Sequence, residues 1–142
     1  MNQQAIFAPF FAMLTLTACV WVYMYSRRLP FLIRNKVDLD NIKPADIERS
    51  SPPELLNPSN NLKNLFEVPI IFYALCLYLF VTNQVDQIYM TAAWVFVAFR
   101  VLHSFVHCTG KKVIVRFGLY MVSAFALWFI AIRAAINYLV AA

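Results

Sequence analysis

Seven polar or ionisable side chains stand inside long apolar stretches of this sequence, where a charge is costly to place. They are Asn64 and Glu67 in the second stretch, Arg100, His103 and His107 in the third, and Arg116 and Tyr120 in the fourth. Spacings of three or four residues put each set on one face of its helix. A charged side chain inside a membrane helix costs about 2.5–3.5 kcal/mol on insertion scales, so these residues are candidates for a function.

Glu67 and Arg100, which carry opposite charges, are predicted to lie at one depth in the membrane. Arg100 is eight residues before the predicted helix end at Cys108, which is about 12 Å at 1.5 Å per residue. Glu67 is six residues into its own helix, or about 9 Å from the same side. We therefore expect a Glu67–Arg100 ion pair in a polar cavity that opens to the cytoplasm. Arg116 and Lys63 make that cavity positive overall, which suits an anionic ligand that also carries an amine or amide.

These residues have three other possible interpretations, of which the sequence disfavours two. Polar groups between membrane helices can serve only to hold the bundle together. His103 and His107 are spaced like paired metal ligands on a helix, with Glu67 nearby, but neighbouring arginines disfavour a cation, so we predict no metal site. Cys108 directly follows His107, and adjacent helical residues do not face each other, which opposes a catalytic Cys–His pair.

The elements that must position these residues are four predicted membrane helices. Of the 142 residues, 62% are hydrophobic and only 13% are charged, whereas soluble domains carry about 25% charged residues. A spanning helix needs about 20 apolar residues, and four stretches supply them, at 5–26, 61–81, 87–108 and 113–138. Short turns favour antiparallel neighbours, and Pro69 is expected to kink the second helix. We predict one all-α membrane domain over residues 1–142, a transmembrane four-helix bundle with a proline-rich cytoplasmic loop at 27–60.

Basic side chains are concentrated in the first and third loops, which share one side of a four-helix chain. Because an excess of Lys and Arg marks the cytoplasmic side, both termini are predicted to face away from the cytoplasm. Topology and contact with anionic lipid headgroups account for the net charge of +5, and nucleic-acid binding has no separate support. The uncharged start opposes a signal peptide, and the apolar residues after Cys19 oppose cleavage as a lipoprotein.

The polar residues of the last three helices resemble the pattern of one membrane family. Asn64-Leu65-Phe66-Glu67-Val68-Pro69 resembles its Asn-x-x-Glu signature followed by proline, and Arg100 to His107, with Arg116 and Tyr120, resembles its pattern on helices three and four. The family is the membrane-associated proteins in eicosanoid and glutathione metabolism (MAPEG), which includes microsomal glutathione transferases, leukotriene C synthase and the inducible prostaglandin E synthase. The resemblance covers essentially the whole chain and is to the bacterial branch, which implies a bacterial inner membrane location.

The resemblance implies a homotrimer that binds glutathione, as co-substrate, between neighbouring subunits near the cytoplasmic face. It implies transferase- or peroxidase-like chemistry on lipophilic small molecules that arrive from the lipid, with Arg116 as the catalytic residue that stabilises the thiolate. Contacts to glutathione are implied for Asn64, Glu67, Arg100, His103 and Tyr120, with Lys63 near a position that is often arginine and Arg28 reaching from a neighbouring subunit. A non-enzymatic membrane subunit or lipid-binding scaffold of the same family is the alternative.

The chemistry of glutathione suits the implied residues. Its ammonium group matches Glu67, and its two carboxylates match arginines as bidentate donors. A cysteine thiol has a pKa near 8.5 and reacts as the thiolate, an anion that the guanidinium of Arg116 attracts. His107 replaces a tyrosine found in several relatives, so some contacts to the tripeptide are expected to differ.

Overall fold

The computed structural model describes residues 1–36, 43, 46–47, 51–110 and 112–141. Part of the predicted loop at 27–60, and Lys111 in the last turn, therefore lie outside the described residues. Within the described part the chain is helical, and a short 3-10 turn at Gln3–Ile6 precedes the first α-helix. The long helices are α1 (Phe7–Arg34), α2 (Pro53–Leu65), α3 (Val68–Val81), α4 (Gln87–Cys108) and α5 (Val113–Ala141).

Four helical segments are long and apolar enough to cross a membrane. They are Gln3–Arg34, Pro53–Val81, Gln87–Cys108 and Val113–Val140. The all-α class and the four predicted membrane helices are therefore confirmed. The bounds of α4 agree with the predicted 87–108, whereas the first two helices differ from their predicted bounds.

The first helix extends beyond its predicted end at residue 26. The prediction that Pro30 belongs to a loop is wrong, because α1 continues through it to Arg34. A proline removes the hydrogen bond to the carbonyl four residues earlier and crowds that carbonyl, which here belongs to the exposed residue Ser26. Water or headgroups can satisfy such a carbonyl near the membrane surface, so the helix need not end there.

The second membrane segment begins earlier than predicted and is interrupted within. Residues 53–60, predicted as loop, belong to α2, because Pro53 stands at the first helical position, where its missing N–H costs nothing. The predicted kink is a full break, since α2 ends at Leu65 and α3 begins at Val68. Pro69 accounts for the position of the break, because it cannot donate to the carbonyl of Leu65 four residues earlier.

The helices are held by an apolar core rich in aromatic rings. Phe72 of α3 stacks on Phe96 of α4 with ring centroids 4.5 Å apart, and both are fully buried. Met13 of α1 and Leu127 of α5 are fully buried in the same cluster. The outer faces are also apolar, and Phe125 on α5 is 66% exposed. Such faces require lipid or further protein around them.

A polar cluster joins α4 to α5 at the end of the bundle where α4 begins. The guanidinium of Arg133 donates to both carboxylate oxygens of Asp86, at 2.9 and 2.6 Å, and lies 4.2 Å from the ring centroid of Tyr89. The hydroxyl of Tyr89 accepts from the Asn137 amide at 3.1 Å. Asp86 also caps α4 by accepting from the backbone N–H of Tyr89 at 2.9 Å. One carboxylate thus both starts α4 and fixes α5 beside it.

The N-terminal turn is tied to the same end of the bundle. The side-chain amide of Gln3 accepts from the backbone N–H of Val85 at 2.8 Å and donates to the carbonyl of Val85 at 3.3 Å. These two bonds satisfy a buried backbone pair in the turn before α4. They place the start of α1 beside the turn that Asp86 completes.

Asp86→Asn tests the contribution of this ion pair. The hydrogen bond from Arg133 is the main cause that lowers the pKa of Asp86 below its ordinary value of 3.8, and the N–H of Tyr89 adds to it. A carboxylate whose pKa is lowered in the folded state stabilises the protein at any pH above its ordinary pKa. This stabilisation is lost as the pH falls through the lowered pKa of the folded state. Asparagine keeps the helix cap but not the charge. The free energy of unfolding at neutral pH should therefore fall by up to about 1 kcal/mol.

Thermal unfolding in detergent, from neutral pH to about pH 3, measures this effect. The wild type should lose stability more steeply in acid than Asp86→Asn does. Glu54→Gln is the matched control, because Glu54 is exposed and forms no ion pair with another described residue. Identical acid profiles for the wild type and Asp86→Asn would contradict the assigned role.

Candidate functional site

One face of α4 carries ionisable side chains that are buried within the bundle. Arg100 is 0% exposed, His103 is 3% exposed and His107 is 4% exposed, and their spacing of three and four residues aligns them on the helix. Arg116 and Tyr120, one turn apart on α5, are half-buried beside them. The structure thus brings together these five residues, which we call the α4–α5 cluster.

Arg100 is a buried charge that forms no hydrogen bond with the described residues. Its guanidinium carbon lies 4.9 Å from the ring centroid of Tyr120 and 5.4 Å from that of Phe96. None of its three side-chain nitrogens has a hydrogen bond within the described part of the chain. Cation–π contacts contribute about 0.5–2 kcal/mol, whereas removing such an ion from water costs several kcal/mol. The guanidinium therefore has unused capacity for an anion.

The predicted Glu67–Arg100 ion pair is wrong for this chain. Glu67 is exposed in the break between α2 and α3, with φ −98° and ψ −93°, and it lies within electrostatic range of Arg100 without contacting its nitrogens. Depth alone misled the prediction, because the break that Pro69 imposes turns Glu67 outward. An open polar cavity at Arg100 is not formed either, since the guanidinium is fully enclosed.

Two histidines hold Arg116 by its backbone and by its side chain. The carbonyl oxygen of Arg116 lies 3.0 Å from Nδ1 of His103, and a carbonyl can only accept, so this nitrogen carries the proton. Nη1 of Arg116 lies 3.3 Å from Nε2 of His107, which must be the acceptor because a guanidinium only donates. The remaining ring nitrogens, Nε2 of His103 and Nδ1 of His107, are enclosed and without partners among the described residues.

Sequence reasoning missed a second polar contact on α4. Asn61 of α2 is 0% exposed, and its Oδ1 accepts from the hydroxyl of Ser104 at 3.3 Å. Its Nδ2 donates to Sγ of Cys108 at 3.6 Å. The available signal was the spacing of Asn61 and Asn64, which puts two amides on one face of a predicted membrane helix.

The other predicted site residues lie outside the α4–α5 cluster. Asn64 is half-buried and Lys63 is exposed on α2. Arg28 of α1 lines a small groove with Ser51 and Ser59. No hydrogen bond or ion pair between described residues joins these three to the cluster. Within the same part of the chain, no three His, Cys, Asp or Glu side chains are close enough to hold a metal ion.

Comparison with known families decides the identity of the fold. Residues 6–136 match the MAPEG family. The chain belongs to this family. Searches of curated proteins and of solved structures gave no match. Membership and the four apolar helices make this MAPEG protein an integral membrane protein, in a family that includes both glutathione-dependent transferases and non-enzymatic members.

Arg100→Met tests whether the charge at the centre of the MAPEG bundle lacks a partner. Replacing an unpaired buried charge with an apolar side chain of similar size should raise the free energy of unfolding, by about 1–4 kcal/mol. Unfolding of the ligand-free protein in detergent measures this. Arg133→Met is the matched control and should instead destabilise by about 1 kcal/mol, because it breaks an existing ion pair. Destabilisation by Arg100→Met would show that its guanidinium already has an anionic partner.

Proposed function

We propose that this MAPEG protein is a glutathione-dependent enzyme, transferase- or peroxidase-like, that acts on lipophilic electrophiles. The observation that carries the proposal is the enclosed guanidinium of Arg100, which forms no hydrogen bond with the described residues, in a family with glutathione-dependent members. The proposed setting is a homotrimer of antiparallel four-helix subunits in a bacterial inner membrane, with both termini away from the cytoplasm. Glutathione would lie between neighbouring subunits near the cytoplasmic face.

Arg100 is assigned to a carboxylate of glutathione. A guanidinium binds a carboxylate through two parallel N–H···O bonds, and all three nitrogens of Arg100 are available. The ring of Tyr120 lies over the guanidinium of Arg100, with the guanidinium carbon 4.9 Å from the ring centroid. Tyr120 itself is half-exposed. A turn of the Tyr120 ring is therefore the movement that opens Arg100 to the ligand, after which the phenol hydroxyl can donate to the same carboxylate.

Residues around the cluster match the remaining polar groups of the tripeptide. Glu67 is exposed in the helix break, where its carboxylate can take the ammonium group. Asn64, one helical turn earlier, offers both an amide donor and an acceptor. Nε2 of His103 has no partner among the described residues and is an acceptor at the edge of the ligand. Lys63 and Arg28 are assigned to the outer carboxylate, with Arg28 reaching from the neighbouring subunit.

Arg116 is assigned to the sulfur. An opposite charge within about 4–6 Å lowers the pKa of an acid by about 1–3 units, so a guanidinium at the thiol raises the thiolate fraction at neutral pH. Arg116 is suited to this role because His103 fixes its carbonyl and His107 accepts from its side chain. The thiolate then attacks an electrophile that enters from the surrounding lipid.

One observation favours the alternative of a non-enzymatic membrane subunit or lipid-binding scaffold. Arg100 is enclosed within the single chain, and the buried amide of Asn61 already bonds to Ser104 and Cys108 of α4. In that case the polar groups would serve to stabilise the bundle alone. The two functions differ in their response to glutathione, because a ligand that binds only the folded state raises its stability.

Titration of the purified protein with glutathione tests the proposed function. Ultraviolet absorbance should report a saturable thiolate signal at millimolar glutathione, and the melting temperature should rise with the ligand. Arg116→Gln should lower the thiolate signal by roughly tenfold, which corresponds to about one pKa unit, while the rise in melting temperature persists through Arg100. Lys112→Gln, which changes an exposed charge outside the cluster, is the control and should behave as wild type.

Failure of glutathione at millimolar concentration to change either the absorbance or the melting temperature would overturn the proposed function. An unchanged thiolate signal in Arg116→Gln would overturn only the role of Arg116.

Substitutions at His107 test whether it positions the guanidinium of Arg116. Glutamine offers a side-chain oxygen that can accept the same hydrogen bond, whereas leucine fills similar space and accepts none. His107→Gln should keep the glutathione thiolate signal within about twofold, and His107→Leu should lower it several-fold, as expected for the loss of about 1 kcal/mol of hydrogen bonding. Both variants should still be stabilised by glutathione. Equal thiolate signals in the two variants would contradict a positioning role for His107.

A further inference from the structure

The end of α1 reaches the headgroup layer of the membrane. Its 28 residues, Phe7–Arg34, span about 42 Å at 1.5 Å per residue, whereas the hydrocarbon core is about 30 Å thick. The uncharged part from Phe7 to Ser26 accounts for that thickness, so Arg27–Arg34 lies at the level of the lipid phosphates. Trp21 and Tyr25, with rings 4.9 Å apart, precede this segment as an aromatic belt typical of the interface.

A groove of about 540 Å³ opens at this level between the end of α1 and the start of α2. Its charged lining residues are Arg27 and Arg34 on one side and Glu54 on the other. The two arginines are seven residues apart, which places them on one face of the helix, two turns apart. The opposite face of this segment is apolar, and Ile33 on it is 74% exposed, as expected for a helix end against lipid.

The three charges of the groove are not paired with one another or with other described residues. Arg27 lies over the ring of Tyr23 at 5.5 Å, which holds its guanidinium without using its N–H donors. No ion pair within the described part of the chain joins either arginine to Glu54, and none of the three has a hydrogen bond there. The groove therefore presents two cations and one anion to the same layer of headgroups.

We propose that this groove binds the headgroup of an aminophospholipid, with its phosphate at Arg27 and Arg34 and its ammonium at Glu54. Arginine recognises phosphate through paired N–H donors, and a carboxylate accepts from a primary ammonium. The negative charge of Glu54 disfavours a purely anionic headgroup, and a quaternary ammonium offers no N–H to it. Phosphatidylethanolamine is thus preferred over phosphatidylglycerol and over phosphatidylcholine.

Native mass spectrometry of the delipidated protein in detergent tests this preference. Equal amounts of phosphatidylethanolamine, phosphatidylcholine and phosphatidylglycerol with identical acyl chains are added, and the composition of the bound lipid is read. The wild type should enrich phosphatidylethanolamine about tenfold or more over the other two lipids, as expected for one hydrogen bond between charged groups. Equal binding of the three lipids would overturn the proposal.

Variants then separate the roles of the phosphate and ammonium contacts. Glu54→Gln should bring phosphatidylethanolamine and phosphatidylcholine to equal binding, and Arg34→Gln should lower the binding of all three lipids about tenfold. Lys112→Gln removes a basic charge outside the groove and should bind as wild type. Equal loss in Arg34→Gln and Lys112→Gln would show a general charge effect and overturn the proposal. Because these side chains are exposed, each variant should match the melting temperature of the wild type without lipid.

A soluble competitor distinguishes a membrane lipid from a free phosphate ester. Glycerophosphoethanolamine carries the same headgroup without acyl chains, so it should displace the bound lipid only at concentrations far above those of the lipid. Displacement at equal concentration would assign the groove to a soluble ligand and overturn the lipid proposal. Glutathione is absent from these experiments, so their outcome is independent of the proposed enzymatic function.

Discussion

The buried charge of Arg100 is the constraint on which the site depends. A guanidinium enclosed between α4 and α5, with two aromatic rings against it and no hydrogen bond within the described part of the chain, destabilises the empty bundle. The apolar core, with a smaller contribution from the Asp86–Arg133 pair at the far end, holds the two helices together and offsets that cost. The same cost favours the arrival of an anion, because binding restores the hydrogen bonds that burial removed.

The two arginines of the α4–α5 cluster are held by different kinds of contact. His103 and His107 hold Arg116 through its carbonyl and its side chain, so this arginine is oriented before any ligand is bound. Arg100 forms no hydrogen bond with the described residues and packs against the rings of Phe96 and Tyr120, while the Tyr120 hydroxyl and the Glu67 carboxylate lie within electrostatic range. An oriented cation suits the stabilisation of a thiolate, whereas a cation with unused donors suits the capture of a carboxylate. The two arginines therefore differ in role although both stand in the same cluster.

The sequence predicted the membrane helices and the face of α4 well, because apolar length and helical spacing depend on local composition. It also predicted that Arg100, His103, Arg116 and Tyr120 meet.

The sequence failed at Glu67, since the break between α2 and α3 follows from a backbone bond that Pro69 cannot make, and depth along an ideal helix ignores such a break. It also misplaced both ends of the loop at 27–60, because it assigned the prolines near each end to the loop. Prolines at a helix start, or near the membrane surface as at Pro30, do not end a helix. Asn61 was missed because it stands at the predicted start of the second helix, whereas that helix begins two turns earlier, at Pro53.

An experimental structure of the protein in lipid nanodiscs with glutathione bound would test the role of Arg100 most directly. The quantity to measure is the distance from the guanidinium nitrogens of Arg100 to the nearest ligand oxygen. We expect a carboxylate of glutathione at hydrogen-bond distance, about 2.7–3.2 Å, with the ring of Tyr120 turned away from its present position over Arg100. A bound glutathione that leaves Arg100 enclosed and without an oxygen partner would contradict this role.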